Sequence, residues 1–201
     1  MRGIGKIHHW QHQVKEKQQE VRKALLQRVR NGSGESEPVF LVGCGRSGTS
    51  MLIWQLNNSW QVNVYNENHP AAFDNFRLLE HDVVADLVAE SQAPRTLFKP
   101  ILDTVQTNVL LERFQQATVL FPFRYFDDVI NSSLKKFGVY NRIGHVRRWM
   151  EDDFAEFAVA PPPEQTKARI RDLWNPNLGP ESGAALYWLF YNLLYRDMGL
   201  D

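Results

Sequence analysis

Short apolar runs alternate along the chain with longer stretches whose apolar residues recur every three or four positions. Four runs, at 38–43, 61–66, 95–99 and 118–123, are brief and rich in Val, Phe and Leu, and read as strands. Stretches at 49–58, 71–91, 104–116, 127–137, 143–158 and 180–198 carry the helical period. Strand and helix alternate from residue 38 onward, which predicts an α/β fold of three layers, a parallel sheet flanked by helices on both faces. Pro161, Pro162 and Pro163 break the chain between two helices. Upstream, residues 13–27 read as a helix with Val14, Val21, Leu25 and Gln18 on one face. Residues 31–37, Asn-Gly-Ser-Gly-Glu-Ser-Glu, read as a linker. The expected organisation is a helical extension and linker over 1–37 and one main domain over 38–201.

Charge changes this picture only at the N-terminus. Lys plus Arg and Asp plus Glu number 23 each, so the net charge gives no reason to expect a nucleic-acid partner. Residues 1–30 nevertheless hold eight Lys/Arg against two Glu, together with His8, His9 and His12. A basic amphipathic helix has the chemistry for weak contact with an acidic surface. Its apolar stripe is thin, so the expectation is a solvated helix packed loosely on the core. The three histidines lack carboxylate or cysteine partners at ligand spacing, and no metal site is expected. Cys44 is the single cysteine, which excludes an internal disulfide. With no apolar run of ~18 residues and no apolar signal core, the expectation is a cytoplasmic protein without a transmembrane segment.

The candidate chemistry begins at Gly43-Cys44-Gly45-Arg46-Ser47-Gly48-Thr49-Ser50, between the first strand and the first helix of the main domain. Glycines let a backbone close on an anion, consecutive N–H groups form a nest, and the helix start adds its positive end. The loop approaches the nucleotide-binding pattern G-x-x-x-x-G-K-[ST]: Gly43, Gly48 and Ser50 fit, but Thr49 stands where the lysine belongs. A nucleoside triphosphatase uses that lysine on its terminal phosphates. Here the cation comes earlier, at Arg46.

Gly-Arg-Ser-Gly-Thr-Ser after a strand resembles the phosphosulfate-binding loop of sulfotransferases that use 3′-phosphoadenosine 5′-phosphosulfate (PAPS). A second stretch, 118–134, is similar to the R-x-x-x-D-V-x-x-S pattern of that family, with Arg124, Asp128 and Ser132 in register. It departs from the family at Tyr125, Phe126 and Asp127. A third, Arg95 to Pro100, resembles the family strand that ends in lysine. The resemblance implies a P-loop NTPase-like sulfotransferase fold. It implies that Gly45, Arg46, Ser47, Gly48, Thr49 and Ser50 hold the phosphosulfate, and that Arg124 and Ser132 hold the 3′-phosphate. Lys99 is then expected at the reaction centre.

Sulfuryl transfer to a hydroxyl also needs a group to take the acceptor's proton. The resemblance implies a glutamate base just after the second strand, which makes Glu67 the expected base, with His69 the alternative. The implied reaction moves a sulfuryl group from PAPS to the hydroxyl of a sugar or other polar alcohol, without a metal. The alternatives are a P-loop kinase-like phosphotransferase and a non-catalytic nucleotide-binding module. The last is expected if the chain lacks the family's C-terminal strand and nucleotide-clasping loop, which the resemblance places beyond Asp201. Ala184 to Asn192 resembles a late family helix, and its aromatic stripe is expected to be core.

Overall fold

The computed structural model describes residues 20–32 and 34–200. The described part of helix α1 covers residues 20–30. In chain order there follow β1 (Glu37–Leu41), α2 (Thr49–Asn57), β2 (Val62–Tyr65), β3 (Phe73–Asp74), β4 (Arg77–Leu78), α3 (His81–Glu90) and β5 (Arg95–Phe98). A 3₁₀ segment (Ile101–Gln106), α4 (Thr107–Arg113), β6 (Thr118–Leu120), α5 (Phe126–Phe137) and α6 (Asn141–Glu151) come next. A second 3₁₀ turn (Ala155–Phe157), α7 (Glu164–Leu173) and α8 (Pro180–Asp197) complete the described chain.

Four strands form one parallel sheet in the order β2-β5-β1-β6. Central β1 is buried on both faces, as its continuous apolar run requires. Alternate side chains go to opposite sides. Val39 and Leu41 join Val62, Leu97 and the Leu52, Ile53 and Leu56 stripe of α2 on one face. Phe40 and Val42 join Phe98, Val84 of α3 and Leu110 of α4 on the other. A third apolar cluster is helical. Trp149, Phe154, Phe157, Ile170, Phe190 and Leu194 pack together where α8 meets α6 and α7.

The connections reverse direction at the centre of the sheet. From β1 the chain runs through α2 past β5 to β2, whereas from β5 it runs through α4 past β1 to β6. Right-handed crossovers put helices from such opposed connections on opposite faces, as observed here. The loops leaving β1 and β5 therefore part at their carboxyl ends, a position that makes a crevice in open α/β sheets.

Several expected boundaries are corrected. Residues 71–91 are not one helix: 73–78 form the β3–β4 hairpin and only 81–90 are helical. Asn75 and Phe76 turn the hairpin with φ of 47° and 64°, the pair of positive values a two-residue primed turn needs. Buried Asp103 clamps this hairpin, accepting from Arg77 Nη1 at 2.9 Å and from the Leu78 N–H at 2.8 Å. The expected helix 104–116 begins as the 3₁₀ segment and ends at Arg113. The expected helix 143–158 stops at Glu151, because Asp153 and Phe154 take φ of 48° and 60°. Strand β6 ends at Leu120, just before Pro122, rather than at residue 123. Helix α7 falls where no element was expected.

Helix α1 continues to residue 30, past the expected end at 27. It meets the body through polar groups: Lys23 Nζ reaches the Asn57 carbonyl at 3.0 Å, and Gln27 Nε2 reaches Asn63 Oδ1 at 2.9 Å. Val21 and Leu25 are exposed, so the expected apolar face turns outward. Val14, Gln18, the start of that helix and the His8, His9 and His12 group lie outside the described residues. Among the described residues no helix is long and apolar enough to cross a membrane.

Candidate functional site

The loop between β1 and α2 has left-handed backbone at Gly43 (φ 112°), Arg46 (φ 74°) and Gly48 (φ 91°). At Gly43 a Cβ would also stand 3.3 Å from the Phe121 ring, which would have to give by a few tenths of an ångström. The Gly43 N–H donates to Thr104 Oγ1 at 2.9 Å, and that hydroxyl donates to the Ile101 carbonyl at 2.8 Å. The base of the loop is thus fastened to the segment that follows β5. Further along, the N–H groups of Gly45, Arg46, Gly48, Thr49 and Ser50 donate to no acceptor among the described residues. Five free donors at the start of a nine-residue helix form a cradle for an anion.

Three arginines gather at this loop. Arg46 Nε donates to Ser132 Oγ on α5 at 3.0 Å. Arg124, between β6 and α5, places Nη1 3.5 Å from the Arg46 carbonyl oxygen and Nε 3.3 Å from Asp128 Oδ2. The Trp188 indole donates to the Arg124 carbonyl at 3.0 Å and so holds the backbone there. Arg46, Arg124 and Ser132, picked from separate stretches of sequence, thus meet in one place. Arg142, which the sequence reading missed, is the third arginine. It is 7% exposed, and its guanidinium lies over the rings of Tyr187 at 4.0 Å and Phe137 at 4.5 Å. Arg142, Val146 and Trp149 lie on one face of α6, and the last two are core.

Cys44 sits between the loop and the helical cluster, its thiol pointing to the Gly45 carbonyl at 3.4 Å. Burial pushes the thiol up to about 12, against the pull of the Arg142 charge, the behaviour of a cysteine packed among apolar side chains.

Lys99 and Glu67 leave the carboxyl ends of neighbouring strands β5 and β2, and they pair with each other at 3.1 Å. Lys99 is buried and Glu67 half-buried. His69 is exposed; its Nδ1 accepts the Ala71 N–H at 3.3 Å, and its ring lies edge-on to Tyr65. It therefore caps the turn after β2. Ser47 is buried and Thr49 starts α2, while Ser50 is exposed.

Three buried side-chain polar atoms among the described residues lack a hydrogen-bond partner: Ser47 Oγ, Asn66 Oδ1 and Arg142 Nε. Buried polar atoms are ordinarily satisfied, so orphans call for an explanation. Asn66 follows β2, Ser47 follows β1, and Arg142 backs the β1 loop, so all three gather at the carboxyl edge of the sheet. Among the described residues no cluster of three His, Cys, Asp or Glu is placed to hold a metal.

Comparison of the chain with protein-family models, with curated proteins and with solved structures finds no match.

Proposed function

We propose that the chain binds PAPS at the carboxyl edge of its sheet and transfers the sulfuryl group to the hydroxyl of a sugar or other polar alcohol. The observation that carries this reading is the loop itself: five unpartnered N–H groups with Arg46, Arg124 and Ser132 drawn together beside them. That donor set fits a ligand with two separate anionic groups. The free amides suit one, and the planar fork of Arg124 with the Ser132 hydroxyl suits the other.

PAPS would supply an activated sulfuryl group, lost from its 5′-phosphate when an S–O bond breaks. The loop amides and Arg46 would hold the phosphate oxygens on which charge grows; one preorganised donor of this type contributes ~3–4 kcal/mol. Lys99 would face the sulfuryl oxygens, and Glu67 would accept the proton of the attacking hydroxyl. In the structure these two side chains are paired, so in this reading the incoming acceptor inserts beside Glu67 and takes its free oxygen. Thr49 in place of a lysine argues against phosphoryl transfer from a nucleoside triphosphate.

The test is a thermal-shift titration with the product nucleotide, 3′-phosphoadenosine 5′-phosphate, against ATP with magnesium. Near 100 times its dissociation constant a ligand adds ~2.7 kcal/mol of stability. The expected result is a shift with the product nucleotide only, lost in Arg124→Ala, and PAPS turnover that Arg46→Ala lowers by about two to three orders of magnitude. A shift with ATP and magnesium alone would replace this reading with a kinase-like one. Binding without turnover would leave the non-catalytic module.

A further inference from the structure

Arg142 is a cation in an unfavourable place on three counts. It is 7% exposed, and it makes no hydrogen bond or ion pair with any described residue. It also lies in the first turn of α6, where the positive end of the helix dipole repels a cation. Its Nε is buried without a hydrogen-bond partner, and a largely buried charge with no ion pair costs stability, which the faces of Tyr187 and Phe137 offset in part. Its Nη2 stands 3.4 Å from where a Cβ of Gly45 would be, so the guanidinium reaches the loop at ordinary van der Waals distance. The unpartnered Gly45 N–H belongs to the same residue.

We propose that Arg142 is the buried counter-cation of an oxyanion held by this loop, a phosphate, pyrophosphate or phosphosulfate group seated on the Gly45 and Arg46 amides. The site then draws its positive groups from three places: Arg46 from the β1 loop, Arg124 from the loop between β6 and α5, and Arg142 from α6. The ligand class that matches is a polyanion carrying at least two negative charges near one another. Binding ties the β1 loop to the helical layer, because the anion completes the coordination of a side chain clamped between α5 and α8. This assignment rests on the loop being an anion site and deepens the reading above without requiring the nucleotide.

The probe is inorganic pyrophosphate, titrated calorimetrically at fixed ionic strength in chloride. Wild type is compared with Arg142→Met and Arg142→Lys, and each protein is also melted without the anion. Wild type is expected to bind, Arg142→Met to bind about tenfold more weakly or worse, and Arg142→Lys to fall between them. Without the anion, Arg142→Met is expected to be at least as stable as wild type, since an unpaired buried charge has gone. A purely structural arginine predicts the opposite sign. Loss of stability in the anion-free Arg142→Met protein, unchanged pyrophosphate affinity in that variant, or no binding by wild type would each overturn the proposal. The two readings fail separately. If pyrophosphate binding depends on Arg142 but the product nucleotide binds no tighter than pyrophosphate, Arg142 stands and the sulfotransferase reading falls. If the product nucleotide binds and Arg142→Met leaves it unaffected, the reverse holds.

Discussion

Lys99 ends its strand with an ammonium that is 4% exposed, and Glu67 at 3.1 Å is its ion-pair partner among the described residues. Removing one member of such a pair is a different perturbation from replacing the other by an apolar group. Glu67→Ala leaves the ammonium buried and unpaired, and a stability loss of about 2–3 kcal/mol is expected; the partial exposure of Glu67 keeps it below the fully buried case. Lys99→Met keeps length and volume and removes the charge that needs a partner, so a change below ~1 kcal/mol is expected. Urea denaturation of the two variants checks this, and equal losses would mean that the pair contributes through something other than burial of the lysine charge. The experiment also bears on catalysis. A carboxylate needed to hold a buried lysine has a structural role as well as a candidate chemical one, so lost activity in Glu67→Ala has meaning only beside its stability.

Helices α6 and α8 meet at a glycine. In an ordinary helix interior Gly183→Ala would stabilise by roughly 0.5–1 kcal/mol, because alanine has the better helix propensity. Here the added Cβ would stand 2.3 Å from Ile143 Cβ and 2.7 Å from Ile143 Cα. The second distance is to backbone, so no change of rotamer relieves it and the helices must separate. A loss of about 2–3 kcal/mol is expected, read as a lower melting temperature, and Ile143→Ala should restore only part of it. Neutrality of Gly183→Ala would mean that the helices slide apart without loss. This contact also shows what could be read from sequence and what could not. Strands β1, β2 and β5 lie within a residue or two of their expected ranges; β1 and β5 are buried along continuous apolar runs, and the edge strand β2 shows an alternating one. Helices α2, α5 and α8 lie within a residue or two of their periodic stretches. The hairpin at 73–78 was hidden because Phe73 and Phe76 fit a helical stripe, and a phenylalanine at positive φ gives no sequence signal. Helix α7 was hidden because it buries little besides Thr166 and Ile170 among many charges. At the candidate site, Arg46, Lys99, Arg124 and Ser132 were singled out by their likeness to sulfotransferase motifs, and the fold brings Arg46, Arg124 and Ser132 together. Arg142 was not singled out, since a charged residue in a basic helix ordinarily faces water, and the pairing of Lys99 with Glu67 depends on β2 and β5 being neighbours.

Across the whole molecule the parallel sheet collects the loops that carry the candidate site, and the helical cluster around Trp149 holds the far side of that site in place. The stability of this cluster should depend on pH through His145. His145 lies on α6 beside the buried Tyr187 ring, and its Nδ1 accepts from Arg148 Nη2 at 2.9 Å. Burial lowers its proton affinity below the usual 6.5; the positive charges of Arg148 and Arg142 lower it further, and Glu156 acts in the opposite direction. Protonation at Nδ1 would also remove the acceptor that Arg148 uses. The sign follows from proton uptake. Above about pH 7.5 both folded and unfolded chains hold a neutral imidazole, and the residue adds no pH dependence. As pH falls through the unfolded value of 6.5, the unfolded chain takes up a proton that the folded chain does not, so stability falls until the folded value is reached. The expected outcome is a melting temperature that drops between about pH 7 and pH 5.5 in wild type. The slope should be shallower in His145→Gln, whose amide can still accept from Arg148. Carboxylates are ionised throughout most of that window, so they add little of the slope. If both proteins lose stability equally over it, the acid sensitivity belongs to another group, and the helical cluster tolerates a charged imidazole beside Arg142 and Arg148.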